Sequence, residues 1–584
     1  MSNFGSLVFC FLLITSALVI PVYSAESYTS NTIYVDDDNT DGPWDGSIDH
    51  PFQFIQDGID ASSDGDIVFV FNGTYKEILV ISTSINLSGE NVQKTIVDGM
   101  QKGNAVTILS DQVVVHDFSI INTTNPPYSY NNMAIALSRV KECFIYNNDI
   151  SRTSGISVSH SEDIICIKNS FHRNEKGIQL SDSSRSVITD NTFFHNTYGL
   201  TLLDSRETII SENNISNNSV AVEVGDSSPH TSIDNNTIRD CWGLGLIISS
   251  SNTTIANNDM SNNNHVDISL EYTTNNLISD NIFDTNGIAI SGKTMEEWKS
   301  HTIINNLVNG RPLRYYKNKE DVKVPKDTGQ LIIANCTNFT VKNLSASIQV
   351  GCSQVITISE NTITQNYHKE AIGLWCSSNI LVTDNTVCNN GFGIRLEYST
   401  NTSIKNNTLY DNSLGITLSS ALNNTIYNNM ISRCGWGVGI SSSANNSIVE
   451  NMVNNSETGI TITSSSKNRV IDNLVRNNNH NGIYMDDSSY NIILSNSIKA
   501  NQNQGIMLYY SDDNDVIKND FIANGRHGYF WSSFDNVWEN NYWDDWIGFG
   551  PKIIFGKLNN FPIWLNLDWS PAAESYGIDD SDII

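Results

Sequence analysis

The sequence has few basic residues and little charge overall. Only 33 of its 584 residues are Lys or Arg, against 63 Asp or Glu, which gives a formal net charge of −30. Phosphate groups are bound by clustered Lys and Arg, so this shortage argues against a nucleic-acid partner. Proline is also scarce, with 11 residues, while 39% of the chain is apolar. That is enough apolar material to bury a core, which excludes a wholly disordered chain.

Long hydrophobic runs are missing after the N-terminus. Residues 7–20 form one mainly apolar run, and small residues follow up to Ala25. This pattern is typical of a signal peptide and is too short for a comfortable membrane span. We therefore assign residues 1–24 to a signal peptide and expect a secreted or cell-surface protein without a membrane span after its removal. Because residues 1–25 contain no Lys or Arg, an uncleaved anchor is the alternative.

Cysteine pairs of the C-x-x-C type are absent, so a zinc knuckle or a thioredoxin-like motif has no support. Cys352 and Cys376 each stand nine residues before a recurring Asn, which puts them in one column of consecutive repeats. Stacked Cα atoms about 4.8 Å apart would allow a disulfide. Free thiols that pack as small apolar groups fit the same spacing.

The strongest positive signal is an internal repeat. An Asn that follows a β-branched run recurs about every 22 residues outside one disturbed stretch. A Gly that opens an apolar alternation follows each Asn at a similar distance, as in Gly177-Ile-Gln-Leu and Gly415-Ile-Thr-Leu. The repeated positions are Asn148, Asn169, Asn191, Asn213, Asn236, Asn258, Asn281, Asn306, Asn361, Asn385, Asn407, Asn429, Asn451, Asn473, Asn496, Asn519 and Asn541.

The content of each repeat predicts which solenoid forms. Every unit carries two short runs with the alternation of a half-buried strand, joined by links rich in Asn, Ser, Asp and Gly. A leucine-rich repeat has a similar period, but its core is mostly Leu, whereas Ile and Val dominate here. The pattern therefore favours an all-β parallel β-helix. We expect the Asn to form a hydrogen-bonded ladder and the Gly to permit a bend.

Three regions interrupt the repeat and predict the domain organisation. The first contains a short amphipathic helix near residues 51–61, suited to cover an open end, and the third holds six of the 11 Trp residues. The predicted segments are a signal peptide at 1–24, an N-terminal cap and first coils at 31–124, repeats at 125–292, an insert at 293–342, repeats at 343–529, a C-terminal cap at 530–572 and an acidic tail at 573–584.

Several of these stretches carry a family resemblance. The sequences at 34–38, 51–60 and 65–75 resemble the N-terminal region of pectin-lyase-like parallel β-helix proteins. Asn309-Gly-Arg-Pro-Leu and Asn540-Asn-Tyr-Trp-Asp-Asp-Trp resemble the NosD-like group within them. The resemblance implies a right-handed parallel β-helix solenoid built from coils of this repeat length, with an N-terminal helical cap and a Trp-rich C-terminal cap. That family mixes lyases, hydrolases, epimerases, binding modules and an accessory protein for copper-site maturation.

In such enzymes the active site lies on the outward face of one sheet. The carboxylates that alternation places on this face include Glu223, Glu271 and Glu397, and Arg395 lies beside Glu397. Glycoside hydrolysis needs two carboxylates within about 5–10 Å, and Glu223 and Glu271 lie two coils apart. Proton abstraction by a lyase would use Arg395 with Glu397 and Glu271. A solvated ion pair explains Arg395 and Glu397 equally well.

An aromatic group on the last coils is a candidate carbohydrate platform. Stacked rings offer a flat surface for sugar rings, or they simply strengthen the terminal coils. The residues are Tyr484, Tyr509, Tyr510, Phe530 and Trp531.

One acidic loop is a candidate calcium site. Asp37, Asn39 and Asp41 alternate before Gly42 as in the first half of a calcium-binding loop, although the closing Glu is absent. A solvated, turn-rich acidic loop is the alternative. The His and Met residues do not cluster at copper-ligand spacings.

Two main interpretations of function follow, with a third beside them. The first is a non-catalytic, secreted or cell-surface β-helix that binds polysaccharide or another cell-envelope glycan. The second is a carbohydrate-active lyase, hydrolase or epimerase. The third is a NosD-type accessory protein for metal-centre assembly. The missing catalytic cluster favours the first interpretation, because fold alone does not establish an activity.

Overall fold

The computed structural model describes residues 30–123, 132–284, 287–364, 369–558 and 561–577. The predicted signal peptide lies outside the described residues, as does the acidic tail after residue 577. The molecule is a nearly all-β solenoid whose successive coils pair in parallel, which confirms the predicted parallel β-helix. Two short helices, Ile55–Asp60 and Met295–Lys299, accompany the strands of the described part.

Residues 32–308, called the N-terminal solenoid here, contribute three parallel sheets. Sheet 1 has 12 strands, which are Thr32–Val35, Ile67–Val70, Asn86–Gly89, Val114–His116, Phe144–Tyr146, Ile165–Ile167, Val187–Thr189, Ile209–Ser211, Ser232–Asp234, Thr254–Ala256, Leu277–Ser279 and Thr302–Ile304. Sheet 2 has 10 strands, which are Leu79–Ile81, Val106–Ile108, Ile135–Ser138, Ile156–Ser159, Lys176–Ser181, Tyr198–Leu203, Val220–Val224, Leu246–Ile248, Ile268–Glu271 and Ile288–Ser291. Sheet 3 comprises Gly73–Tyr75, Thr95–Asp98, Ser119–Ile121, Asp149–Ser151, Ser170–His172, Thr192–Phe194, Asn214–Ser216, Thr237–Arg239, Asp259–Ser261, Ile282–Phe283 and Leu307–Val308.

Residues 311–577, the C-terminal solenoid, repeat this plan. Sheet 4 comprises Arg311–Lys317, Gln330–Ala334, Ser347–Gly351, Glu370–Trp375, Phe392–Glu397, Leu414–Ser419, Trp436–Ser441, Thr458–Thr463, Ile483–Asp486, Gln504–Tyr509, Arg526–Trp531, Lys552–Leu558 and Phe561–Asp568. Sheet 5 has 10 strands, which are Thr337–Lys342, Gln354–Ser359, Leu381–Thr383, Ser403–Lys405, Thr425–Tyr427, Ser447–Val449, Arg469–Ile471, Ile492–Leu494, Asp515–Ile517 and Val537–Glu539. Sheet 6 has nine, which are Thr362–Thr364, Thr386–Cys388, Thr408–Tyr410, Met430–Ser432, Met452–Asn454, Leu474–Arg476, Ser497–Lys499, Asp520–Ile522 and Tyr542–Trp543.

The recurring Asn residues form a buried ladder along the solenoids. Asn429 is typical: its Nδ2 donates to Asn451 Oδ1 at 2.9 Å and to the Ile404 carbonyl at 2.9 Å. Its Oδ1 accepts from the backbone and side-chain nitrogens of Asn407, both at 2.9 Å. Each amide thus joins three coils and satisfies turn backbone that would otherwise be buried without a partner. A second such row at another turn consists of Asn424, Asn446, Asn468, Asn491, Asn514 and Asn536.

The two solenoids meet at a tight antiparallel turn, in which Val308 pairs with Arg311. This turn lies inside the segment predicted as an insert. The last strand of sheet 2, Ile288–Ser291, then packs on the first coils of sheet 4. Gln330 and Gln349 donate to the Ile288 carbonyl at 2.6 and 2.8 Å. These side chains satisfy a strand edge that has no further coil of its own sheet to pair with.

The helix Met295–Lys299 anchors the same junction. Thr294 and Glu297 form a capping box at its start. Trp298 is fully buried, and its indole nitrogen donates to the Gly292 carbonyl at 3.0 Å. The ring centroids of Trp298 and Trp375 lie 5.4 Å apart. No helix in the described part of the chain is long and apolar enough to cross a membrane.

Candidate functional site: a cleft at the junction of the solenoids

A small polar cleft lies where the end of sheet 2 meets the outer face of sheet 4. It encloses about 130 Å³, less than the few hundred Å³ typical of whole small-molecule sites. A cleft of this size suits one group of a larger ligand. Its lining residues are Tyr272, Ser291, Gly292, Lys293, Glu370, Trp375, Arg395, Glu397 and Tyr398.

Arg395 organises the sheet 4 side of the cleft. One guanidinium nitrogen lies 2.8 Å from a carboxylate oxygen of Glu397, and the other lies 3.4 Å from Glu370. The guanidinium carbon stands 4.9 Å from the centroid of the Phe392 ring, a cation–π contact that helps to fix its position. Glu370 is buried, so it needs this counter-ion. The guanidinium group of Arg395 therefore brings the two carboxylates together on this side of the cleft.

Lys293 stands between two tyrosine rings at the mouth. Its ammonium nitrogen lies 5.5 Å from the ring centroid of Tyr272 and 5.2 Å from that of Tyr398. A hydrogen bond with the Tyr398 hydroxyl raises the pKa of Lys293, so its positive charge is secure at neutral pH. Tyr272 is 57% exposed and Tyr398 is 36% exposed. The mouth thus offers two aromatic surfaces and one cation to solvent.

The four predicted catalytic candidates are only partly brought together. Arg395 and Glu397 line the cleft. Glu271 pairs with Ser291 in the β-ladder and accepts from Ser269 Oγ at 3.2 Å, so it borders the cleft. Glu223 belongs to another outward column, because it pairs with Ile247, whose next partner is Ser269. The structure therefore places Glu223 apart from the other three.

The residues of the predicted aromatic platform do not all lie in one column. Tyr509 and Trp531 are in register on neighbouring coils, with ring centroids 6.0 Å apart. Tyr484 lies in the adjacent column, whose next members are Met507 and Tyr529. Tyr510 follows its strand, is 45% exposed and packs edge-on against Tyr509 at 4.6 Å between ring centroids.

Phe530 does not take part in this surface, which corrects its place in the predicted platform. Its side chain is fully buried in the core, next to Gly556. Successive residues of a strand point to opposite faces, so Phe530 and Trp531 cannot both face outward.

In the candidate calcium loop, two of the three predicted ligand side chains form hydrogen bonds with backbone groups of the protein. Asp37 Oδ2 accepts the backbone N–H of Thr74 at 3.0 Å, and the Asn39 amide donates to the Pro51 carbonyl at 2.7 Å. Asp41 is exposed. Calcium at Asp37, Asn39 and Asp41 stays a prediction.

Five charged or aromatic side chains of the cleft were missed by sequence reasoning. Their positions follow from the contact between the solenoids, for which no periodic signal exists. The one usable hint was that the segment around Lys293 breaks the repeat. These residues are Tyr272, Lys293, Glu370, Trp375 and Tyr398.

The stacked coils, the parallel pairing and the Asn ladder together define a parallel β-helix protein. Within that type the chain belongs to the NosD family. The model of this family, described as "Periplasmic copper-binding protein (NosD)", matches residues 58–311, 317–474 and 437–545. No curated protein sequence matches the chain significantly.

Solved structures with some similarity include carbohydrate-active proteins. The chain is 14% identical to DFA-IIIase from Arthrobacter chlorophenolicus A6 without its lid, covering 61% of this chain and 94% of that one, at a TM-score of 0.37. The chain is 12% identical to GH136 lacto-N-biosidase from Eubacterium ramulus, covering 48% of this chain and 68% of that one, at a TM-score of 0.36. It is also 12% identical to the periplasmic alginate epimerase AlgG, covering 59% of this chain and 76% of that one, at a TM-score of 0.33. These likenesses are too distant to bear on the function of this chain.

The family description raises the question of copper. Among the described residues, one group of three His, Cys, Asp or Glu has ligand atoms within 4.8 Å of one another, namely His527, Asp544 and Asp545. His527 Nε2 lies 2.7 Å from Asp544, and the Lys552 ammonium lies 2.5 Å from Asp545. One imidazole and two carboxylates, one of which pairs with the Lys552 ammonium, are not the soft sulfur-rich set that copper(I) prefers. This group does not fit copper(I).

Proposed function

We propose that the protein is a secreted or envelope-located β-helix that binds a linear polysaccharide on the outer face of sheet 4 without cleaving it. The observation that carries this proposal is the continuity of one outward column. From Glu397 in the cleft, this column runs along successive coils to a half-buried aromatic pair, through Ser419, Ser441, Thr463, Asp486, Tyr509 and Trp531.

The length of this outward column, called the track here, suits a polymer. Six coil steps at about 4.8 Å give roughly 29 Å between Glu397 and Trp531. Rows of hydroxyl groups can hydrogen-bond to sugar hydroxyls anywhere along that length. Tyr509 and Trp531 at one end can pack on the apolar faces of sugar rings. At the other end, the cleft can receive one terminal or branching group.

The charges of the cleft favour an acidic or hydroxyl-rich group there. Lys293 presents its cationic ammonium group at the mouth, whereas Arg395 is already paired with Glu370 and Glu397. The exposed tyrosines beside Lys293 add apolar surface around the bound group. A uronate carboxylate is therefore the preferred occupant at the mouth.

Binding explains the carboxylates better than cleavage does. A glycosidase acid must keep a proton, which usually requires an apolar pocket or a like charge. Glu370 and Glu397 instead both pair with one cationic group, the guanidinium of Arg395. Lyase or hydrolase activity is the second candidate, because these two carboxylates and Arg395 do converge. A role in metal-centre assembly is supported by the family description alone.

A glycan array of acidic and neutral polysaccharides, probed with the purified chain with and without calcium, tests the proposal. Binding without reducing ends or unsaturated sugars is the expected result. Lys293→Met should weaken binding of acidic glycans about tenfold, which corresponds to about 1.4 kcal/mol. Lys405→Met on sheet 5 is the matched control and should bind normally. Product formation that Glu370→Gln or Glu397→Gln abolishes would establish the enzyme instead.

A further inference from the structure

Two cysteines stand one above the other beside the cleft. Gly351 pairs with Trp375 in sheet 4, so the next residues, Cys352 and Cys376, lie in register on neighbouring coils. Both have left-handed backbone conformations, with φ of 49° and 48°. Equal backbone geometry at one coil spacing puts the Cα atoms about 4.8 Å apart, within the range of about 4.4–6.8 Å for disulfides.

The two thiols already contact each other. They share a hydrogen bond, which lowers the pKa of Cys376 and raises that of Cys352. Both residues are partly exposed, whereas the other six described cysteines are buried. Burial raises the pKa of the Cys166, Cys241 and Cys434 thiols, which makes them poor nucleophiles. The stacked pair is therefore the reactive pair of the described chain.

The pair is also coupled to the cleft. Cys376 Sγ lies 3.3 Å from the carbonyl oxygen of Lys293 and 3.8 Å from that of Gly292. The next residue in the same column is Tyr398, which bonds to the Lys293 side chain. The thiol thus supports the backbone that presents the cationic side chain at the mouth.

We propose that Cys352 and Cys376 form a redox-active dithiol that closes to a disulfide and cross-links the coils at the solenoid junction. The Cys376 thiolate attacks a low-molecular-weight disulfide or the disulfide of a thiol oxidase, and one thiol of that oxidant leaves. The Cys352 thiolate then attacks Cys376 Sγ of the mixed disulfide and releases the second thiol. The protein loses two electrons and two protons in total, and the oxidant is reduced to two thiols.

Closure changes the contact with the cleft. A disulfide has no S–H group, so the Cys376 donor to the Lys293 carbonyl is lost when the pair oxidises. The proposal does not depend on glycan binding, because the cross-link forms whether or not a ligand occupies the cleft.

Thiol mapping of the folded full-length chain tests this proposal. The chain is treated with oxidised glutathione, alkylated under denaturing conditions, digested and analysed by mass spectrometry with and without reduction. We expect two fewer alkylated thiols than in the untreated chain, and a reducible cross-link between the peptides that contain Cys352 and Cys376. Cys376→Ser should abolish the cross-link.

The matched control is Cys388→Ser, which removes a buried thiol of the same solenoid and should leave the cross-link intact. Far-UV circular dichroism establishes that both variants are folded. If the folded wild-type chain retains alkylated Cys352 and Cys376, or stops at a glutathione adduct, the proposal is wrong.

Discussion

The ammonium nitrogen of Lys369 lies 2.8 Å from the carbonyl oxygen of Ile288, although 81 positions separate the two residues. This bond crosses the junction between the solenoids, beside those from Gln330 and Gln349 to the same oxygen. Lys369 is completely enclosed, and burial lowers its pKa to about 8 despite the nearby carboxylates of Glu370 and Asp267. The side chain of Lys369 thus bridges the two halves of the molecule.

The lowered pKa of Lys369 predicts a pH-dependent junction. Below about pH 8 the residue is charged in both the folded and the unfolded chain, and above about pH 10.4 it is neutral in both. Between these values the unfolded chain keeps a proton that the folded chain has released, so rising pH stabilises the folded state. The gain is on the order of 3 kcal/mol for a shift of this size.

Urea unfolding of wild type and Lys369→Met between pH 7 and 11 measures this effect. The difference in unfolding free energy between the two proteins should move in favour of wild type across the window. Subtracting the variant removes the contribution of tyrosines and other lysines that titrate in the same range. A constant difference would contradict the prediction.

Gly351 should be indispensable for the junction. A Cβ at this position would overlap the buried indole ring of Trp298, which would have to move. We expect Gly351→Ala to destabilise the protein by about 3 kcal/mol or more, because overpacking and loss of the Trp298 contact add. Tryptophan fluorescence during urea unfolding gives the measurement.

Gly439 in the same sheet provides the control for this substitution. Its added Cβ would meet only side-chain atoms, the nearest at 3.1 Å, so Gly439→Ala should change stability by less than about 1 kcal/mol. Equal losses for the two variants would mean that the cost is general to glycine in this sheet.

The fold could be predicted from the sequence because every coil repeats the same physical solution. A short fixed period, a buried Asn and an alternating strand recur often enough to exclude other solenoids. Alternation within a strand also separates Trp531 from Phe530, a distinction that the platform prediction overlooked. The junction was beyond such reasoning, because the contact of Lys369 with Ile288 occurs once. The end of the Asn ladder shows the same limit. Asp568 accepts a hydrogen bond from the backbone N–H of Asn541 at 3.0 Å, and this contact could not be predicted because Asp568 is not part of the repeat.

Interior positions of the ladder should carry substantial stability. Asn429→Ala would leave the Ile404 carbonyl and the Asn407 backbone N–H without their present partners inside the core. Unsatisfied buried groups cost about 1–3 kcal/mol each, so we expect a loss of about 3 kcal/mol in urea unfolding. Asn454→Ala, on the outward side of a neighbouring strand, should cost less than about 0.5 kcal/mol. A similar cost at both positions would argue against the ladder as a specific source of stability.

Neighbouring substitutions at Phe530 and Trp531 separate packing from ligand binding. Phe530→Ala creates a cavity in the core and should destabilise the chain by about 3–5 kcal/mol. Trp531 is half-buried beside Tyr509 and Lys557, and its indole nitrogen has no hydrogen-bond partner in the described structure. Its replacement by Ala should cost less stability but weaken polysaccharide binding about tenfold, since a stacking surface is lost.

The two variants are compared by urea unfolding and by titration with the polysaccharide that binds best on the array. Tyr427→Ala on sheet 5 serves as an exposed aromatic control and should preserve affinity. If folded Trp531→Ala binds as tightly as wild type, the aromatic end of the track is structural, because the same ring would then matter for packing alone. Loss of binding in Tyr427→Ala would instead move the binding face to sheet 5.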